Sequence, residues 1–282
     1  MSGSAPPFIA GATHAGAICP DWNPRLGESA FVPFVSFSEK KRRDPKSVAG
    51  FAESAVVVCV PYEPSGLDNL SSLGTCGDYH PRVREALLRA AEALPPHRRR
   101  ILVDSPFLCE RSLAARAGLG FFGKNGLLLT REYGSFCNIG VMLTDIPYPV
   151  AAAIFARSPD GFAGCAGCAG CIKACPNGAL AEGRPLDSAR CISYLTQKKE
   201  LATGEGALLR GQLYGCDICQ RACPLNAGLA GRPFGRVDPA EWLGMTDEEL
   251  CLRHAGTAMM WRGAGTLRRN ALAAMGKPVA AV

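Results

Sequence analysis

Eight cysteines between Cys165 and Cys223 have the types and spacing that could do chemistry in this chain. The first run, Cys165-Ala-Gly-Cys168-Ala-Gly-Cys171-Ile-Lys-Ala-Cys175-Pro176, matches the bacterial C-x2-C-x2-C-x3-C-P spacing residue for residue. A second run, Cys216-Asp-Ile-Cys219-Gln-Arg-Ala-Cys223-Pro224, is one cysteine short, and the lone Cys191 upstream can supply it. The turn that wraps three thiolates around one cubane aims the fourth side chain away, so the last cysteine of each run serves the other cluster. The expectation is two neighbouring 4Fe–4S clusters able to pass electrons. One is held by Cys165, Cys168, Cys171 and Cys223, the other by Cys175, Cys191, Cys216 and Cys219.

Structural zinc and disulfides are the plainer alternatives. Zinc prefers separated C-x2-C pairs closing one tetrahedron, which leaves the threefold repeat and the post-cysteine prolines unexplained. Disulfides need an oxidising compartment, and Met1 to Ala17 has neither a basic n-region nor paired arginines. A cytoplasmic location is therefore expected. Of the other six of the 14 cysteines, Cys19, Cys59, Cys76, Cys109, Cys137 and Cys251, most read as small buried apolar residues.

The 282 residues can bury a sizeable core, and 48% hydrophobic with 20% charged residues describes an ordinary soluble protein. No apolar run approaches the roughly 18 to 20 residues that span a bilayer, so no membrane partner is expected. Part of the net charge of +6 is clustered in Lys40-Lys41-Arg42-Arg43, Arg98-Arg99-Arg100 and Arg268-Arg269. Such runs can meet phosphates, or can simply be solvated surface.

The elements that must position the chemistry come next. Residues 1 to 30, rich in Gly, Ala and Pro, read as a loose or short helical lead-in. A buried strand is expected at 55–60, a helix at 81–94 stopped by Pro95-Pro96, and a second strand at 101–103. That strand delivers Asp104 to its C-terminal end, where the backbone is fixed and the side chain free, a common place for catalytic groups. A cap or turn aspartate is the competing reading. A helix over 110–117 ends at Gly118 and runs into a glycine-crowded loop. Gly118 to Asn125 superficially resembles a phosphate loop, but Asn125 stands where Ser or Thr would bind magnesium. The loop also leaves a helix and enters a strand at 127–130, the reverse of the phosphate-loop context, which argues against nucleotide hydrolysis. Its glycines leave close approach to another large ligand open. A strand at 139–144, an apolar run at 150–156, a capping box at Thr246-Asp-Glu-Glu249 and a helix at 266–275 complete the pattern, with no internal repeat.

Taken together, the motifs resemble the epoxyqueuosine reductases, cobalamin-dependent iron–sulfur enzymes of transfer-RNA modification. The resemblance covers about residues 40 to 275. It rests on Arg43-Asp44-Pro45, Gly77-Asp78-Tyr79-His80, Val103-Asp104-Ser105-Pro106, Glu110-Arg111, Ala117 to Asn125 and Gly134-Ser135. It extends through Arg190 to Thr196, Tyr214 to Gln220 and Arg269-Asn270-Ala271.

What the resemblance implies is an α+β fold, a nitroreductase-like cobalamin-binding domain followed by a bacterial ferredoxin-type module with two 4Fe–4S clusters. The expected division is a lead-in at 1–30, the catalytic domain at 31–155, the cluster module at 156–232 and C-terminal helices at 233–282. The implied reaction is reductive deoxygenation of epoxyqueuosine to queuosine at the wobble position of tRNA. Asp104 is the implied proton donor, in an apolar site of the kind carboxylic acids need for that task. The implied cobalamin contacts are Arg43, Asp78, Tyr79, Asn125, Ser135 and Ser193. Expected partners are the tRNA anticodon stem-loop and a low-potential donor such as a flavodoxin or ferredoxin. Full-length members continue into a helical-repeat domain, so the chain reads as a short form, and Gly-Asp-Tyr-His follows an unusual Thr75-Cys76. A corrinoid reductase of a small molecule, or a ferredoxin-like electron carrier, would share the cluster motif.

Overall fold

The computed structural model describes residues 14–18, 45–106, 108–155, 164–230 and 233–278. Helices and sheet are mixed in it, as an α+β chain requires. The described residues form two compact units, one within Met1–Tyr62 and Tyr79–Cys168, the other within Glu63–Asp78 and Ala169–Val282.

A four-stranded antiparallel sheet in the order β1-β2-β6-β3 organises the first unit. Its strands are β1 (His14–Ile18), β2 (Ser54–Pro61), β3 (Arg99–Val103) and β6 (Cys137–Thr144). β1 pairs with β2 from His14 opposite Cys59 to Ile18 opposite Ala55. The expectation of a loose lead-in is therefore corrected at 14–18; the rest of 1–30 lies outside the described residues. β2 is buried along its whole length because helices cover both faces, which is why it reads as a continuous β-branched run. On one face Ala55, Val57, Cys59, Val141 and Leu143 pack with Leu113 and Ala114 of α2 (Glu110–Arg116). On the other, α1 (Tyr79–Glu92) approaches so closely that a Cβ on Gly140 would sit 2.4 Å from Val83. α1 starts two residues before the expected helix, since Pro81 falls in its first turn, where an amide N–H has no helical acceptor.

The glycine-crowded stretch contains a short hairpin, Phe121–Phe122 (β4) paired with Leu128–Leu129 (β5), in place of a strand over 127–130. A Cβ on Gly120 would lie 2.2 Å from the Leu129 carbonyl oxygen, so the hairpin itself needs that glycine. The apolar run at 150–156 is a helix, α3 (Tyr148–Phe155); its alanines favour helix over strand.

The second unit joins Glu63–Asp78 to the C-terminal half, unlike the linear boundaries read from the sequence. Its core holds Leu70, Leu213, Tyr214, Trp242, Leu250, Met259 and Leu267 together, so the helices after residue 233 share a core with the cluster module. Asn69 brackets Val237, accepting from its N–H at 3.0 Å and donating to its carbonyl at 2.8 Å. Short helices carry the cysteines, α4 (Gly170–Ala174) and α5 (Ile218–Arg221). Beyond them lie α6 (Pro239–Gly244), α7 (Asp247–Arg253), opened by the expected capping box, and α8 (Ala264–Ala274).

Of the basic runs, Arg268-Arg269 turns inward, whereas Arg98-Arg99-Arg100 is exposed. Buried Arg269 donates to the carbonyls of Thr196, Lys198 and Lys199 and to Asn270 Oδ1, and burial lowers its pKa to about 10. Arg98 pairs with Asp145 at 2.8 Å. Of the five other cysteines described, Cys59 alone is fully buried and Cys251 is exposed, so the buried-apolar reading holds for one of them.

Candidate functional site

Six of the eight cluster cysteines, Cys171, Cys175, Cys191, Cys216, Cys219 and Cys223, belong to the second unit; Cys165 and Cys168 belong to the first. Among the described residues, no disulfide joins any of the eight. Cys175 follows α4 and accepts the Ala179 N–H at 3.2 Å, the type of N–H to sulfur bond that tunes a cluster ligand. Burial pushes the Cys216 thiol up to about 12 and those of Cys191 and Cys219 upward as well. Cys175 charge raises Cys191 further, Cys191 and Cys175 raise Cys216, and Cys216 and Cys191 raise Cys219. Backbone N–H groups of Ser193, Tyr194 and Ile218 favour the thiolates, and a positively charged metal centre would supply the remaining compensation. The donor set fits a cluster. Among the described residues, no group of three or more His, Cys, Asp or Glu is arranged for a single metal ion.

The loop carrying Cys216 and Cys219 is fixed from below. Asp217 accepts the Ser72 N–H at 2.6 Å and hydroxyl at 2.5 Å, and Gln220 donates to its other oxygen at 3.1 Å. Burial raises the Asp217 pKa against those bonds and the Arg221 charge. Arg221 in turn donates to the carbonyls of Ser65 and Leu67. Gly215 has φ +66° and lies so close to Ser71 that a Cβ would stand 2.1 Å from its Oγ, which explains the glycine before Cys216.

In the first unit, Asp104 leaves β3 with φ 49°, a left-handed conformation that few non-glycine residues adopt. Its Oδ2 lies 2.9 Å from the Tyr79 hydroxyl at the start of α1. Asp104 is exposed, which corrects the expectation of an enclosing apolar site. Asn125 is buried; its Oδ1 accepts the Leu127 N–H at 3.1 Å, and its Nδ2 has no hydrogen-bond partner. Ser135 is also buried. Tyr79, Asp104, Asn125 and Ser135 thus share one unit. Exposed Asp78 and half-buried Ser193 belong to the other, and Arg43 lies outside the described residues. The orphaned Asn125 amide is a donor of the sort that a large polar ligand such as cobalamin satisfies.

Two contributions escaped the sequence. Ser72 carries no motif signal, since its partner is distant in the chain. Asn138 went unread too, although it is the lone amide in the apolar strand 137–144. It stands opposite Val60, and its Nδ2 is also buried without a partner.

Comparison with known proteins places these features. A 4Fe–4S double cluster binding domain model matches residues 164–226. The epoxyqueuosine reductase of Bacillus cereus is 32% identical over 262 residues, covering 84% of this chain and 67% of that protein. The chain belongs to the epoxyqueuosine reductase family. A solved epoxyqueuosine reductase from Streptococcus thermophilus superposes with a TM-score of 0.76 at 27% identity, covering 94% of this chain and 78% of that one. Another, solved with an epoxyqueuosine-modified tRNA-Tyr stem loop, gives 0.75 at 28% identity, covering 93% and 76%. No described helix is long and apolar enough to cross a membrane.

Proposed function

We propose that this chain reduces epoxyqueuosine to queuosine in the anticodon stem-loop of tRNA, drawing electrons from a low-potential donor such as a flavodoxin or ferredoxin in the cytoplasm. The observation that carries the reading is Asp104, held in a left-handed backbone conformation at a strand end and hydrogen-bonded to Tyr79, in a chain of this family. Removing the epoxide oxygen as water consumes two electrons and two protons. Asp104, exposed at the strand end, is the group that delivers a proton to that oxygen, and Tyr79 orients its carboxyl.

The first unit, on this reading, is the nitroreductase-like part. Tyr79, Asn125 and Ser135 there, with Asp78, Ser193 and Arg43, hold cobalamin, and the unpartnered Asn125 amide supports this assignment. When bound, cobalamin would supply a reducible, nucleophilic cobalt centre. Cys165, Cys168, Cys171 and Cys223 hold one cluster, and Cys175, Cys191, Cys216 and Cys219 the other; the effect of Cys175 charge on Cys191 and Cys216, and of Cys191 charge on Cys219, supports the second set. Such clusters supply electrons at potentials reaching about −700 mV.

Anaerobic reconstitution with iron, sulfide and cobalamin, followed by turnover of an epoxyqueuosine stem-loop, tests the proposal. About eight irons and one cobalt with alkene product support it. Eight irons without cobalt or product would instead indicate an electron carrier.

A further inference from the structure

The first turn of α2 makes two long reaches from adjacent residues. Glu110 Oε1 accepts the Ser105 N–H at 2.9 Å, closing the loop that begins at Asp104. Arg111 Nη1 donates to the carbonyl of Gly126, which follows Asn125 directly and has φ +75°. α2 is itself fixed, because Leu113 and Ala114 are buried in the core against β2 and β6. The turn after Asn125 also carries local bonds, Gly126 N–H to the Gly123 carbonyl at 2.8 Å and Leu127 N–H to Asn125 Oδ1. Local bonds shape a turn without fixing it in the fold.

We infer that Glu110 and Arg111 are positioning residues that set the Asp104 carboxyl and the Asn125 amide from one rigid helix, so that proton donor and cofactor contact keep a fixed relation. The inference rests on the function proposed above for Asp104 and Asn125. Neither side chain touches the reacting atoms. Glu110 acts on Asp104 through the Ser105 amide, counteracting the tendency of a non-glycine residue at φ 49° to relax toward negative φ. Arg111 acts on Asn125 through the neighbouring carbonyl. An error of about 1 Å in such a group costs on the order of a hundredfold in rate.

The experiment uses the full reconstituted chain. Glu110→Ala is expected to lower kcat about ten- to a hundredfold with KM changed less than about twofold. Glu110→Gln keeps an oxygen acceptor for the Ser105 amide and should recover most of that loss. Amide exchange of Ser105 should quicken in the alanine variant and not in the glutamine variant. Arg111→Ala should weaken cobalamin binding about tenfold in an absorbance titration, with iron content unchanged. Unchanged exchange at Ser105 together with unchanged cobalamin affinity overturns the inference. Both readouts are independent of turnover. If the unsubstituted chain fails to reduce epoxyqueuosine while they shift as stated, the proposed reaction falls and the positioning role stands.

Discussion

The Tyr79 hydroxyl and Asp104 Oδ2 are 2.9 Å apart, which joins the first residue of α1 to the residue that follows β3. The contact keeps an otherwise exposed carboxyl in one place. Asp104→Asn preserves the size of the side chain and an acceptor for Tyr79 but cannot give up a proton. Turnover should fall by about 10² to 10⁴, the range of general-acid catalysis, while iron and cobalt per chain stay unchanged. Activity retained by the asparagine variant would remove the acid role from Asp104.

Charge on Cys175 raises the Cys191 and Cys216 thiols, and charge on Cys191 and Cys216 raises that of Cys219, so these four should fail as a set. Cys216→Ala is expected to cost about four of about eight irons, and Cys165→Ala the other four. Iron analysis and electron paramagnetic resonance after dithionite reduction measure this. Loss of identical signals from both variants would dissolve the proposed division into two sets.

Ser72 supports the cluster loop from a distant part of the chain. Its hydroxyl donates to Asp217 at 2.5 Å and accepts the Ser65 N–H at 2.7 Å, all buried. Ser72→Ala leaves both groups short of a partner, and the second unit should lose about 2 to 3 kcal/mol in denaturant titration. A change below about 0.5 kcal/mol would mean that neighbouring groups replace the hydroxyl.

Local chemistry made most of the site legible in the sequence. The cysteine spacing announces its cofactor because cubane ligation depends on short turns, and Asp104 was readable because a strand end exposes whatever follows it. What the sequence concealed depends on partners far apart in the chain. Nothing local distinguishes the serine at 72 from a surface serine until Asp217 is beside it. Arg269 illustrates the converse: beside Arg268 it reads as a basic surface patch, yet it is buried among the carbonyls of 195–199, which only tertiary packing supplies. β1 was missed because a short Gly- and Ala-containing segment has little strand propensity of its own and is held by its ladder with β2.

His254 predicts a pH dependence unrelated to the clusters. It is buried edge-on to Trp242, with ring centroids 5.0 Å apart, and its Nε2 has no hydrogen-bond partner. Burial lowers its pKa below the ordinary 6.5, and the adjacent Arg253 charge acts in the same direction. The unfolded chain therefore binds a proton at a higher pH than the folded one. The stability it contributes is complete above the unfolded pKa and is lost as pH falls through the folded value, with a slope of at most about 1.4 kcal/mol per pH unit. The second unit should unfold at lower denaturant near pH 5.5 than near pH 7.5. His254→Phe, which keeps the contact with Trp242, should flatten that difference. Comparison of the two proteins cancels the clusters' own acid sensitivity, and an equal slope in both would assign the proton uptake to another group.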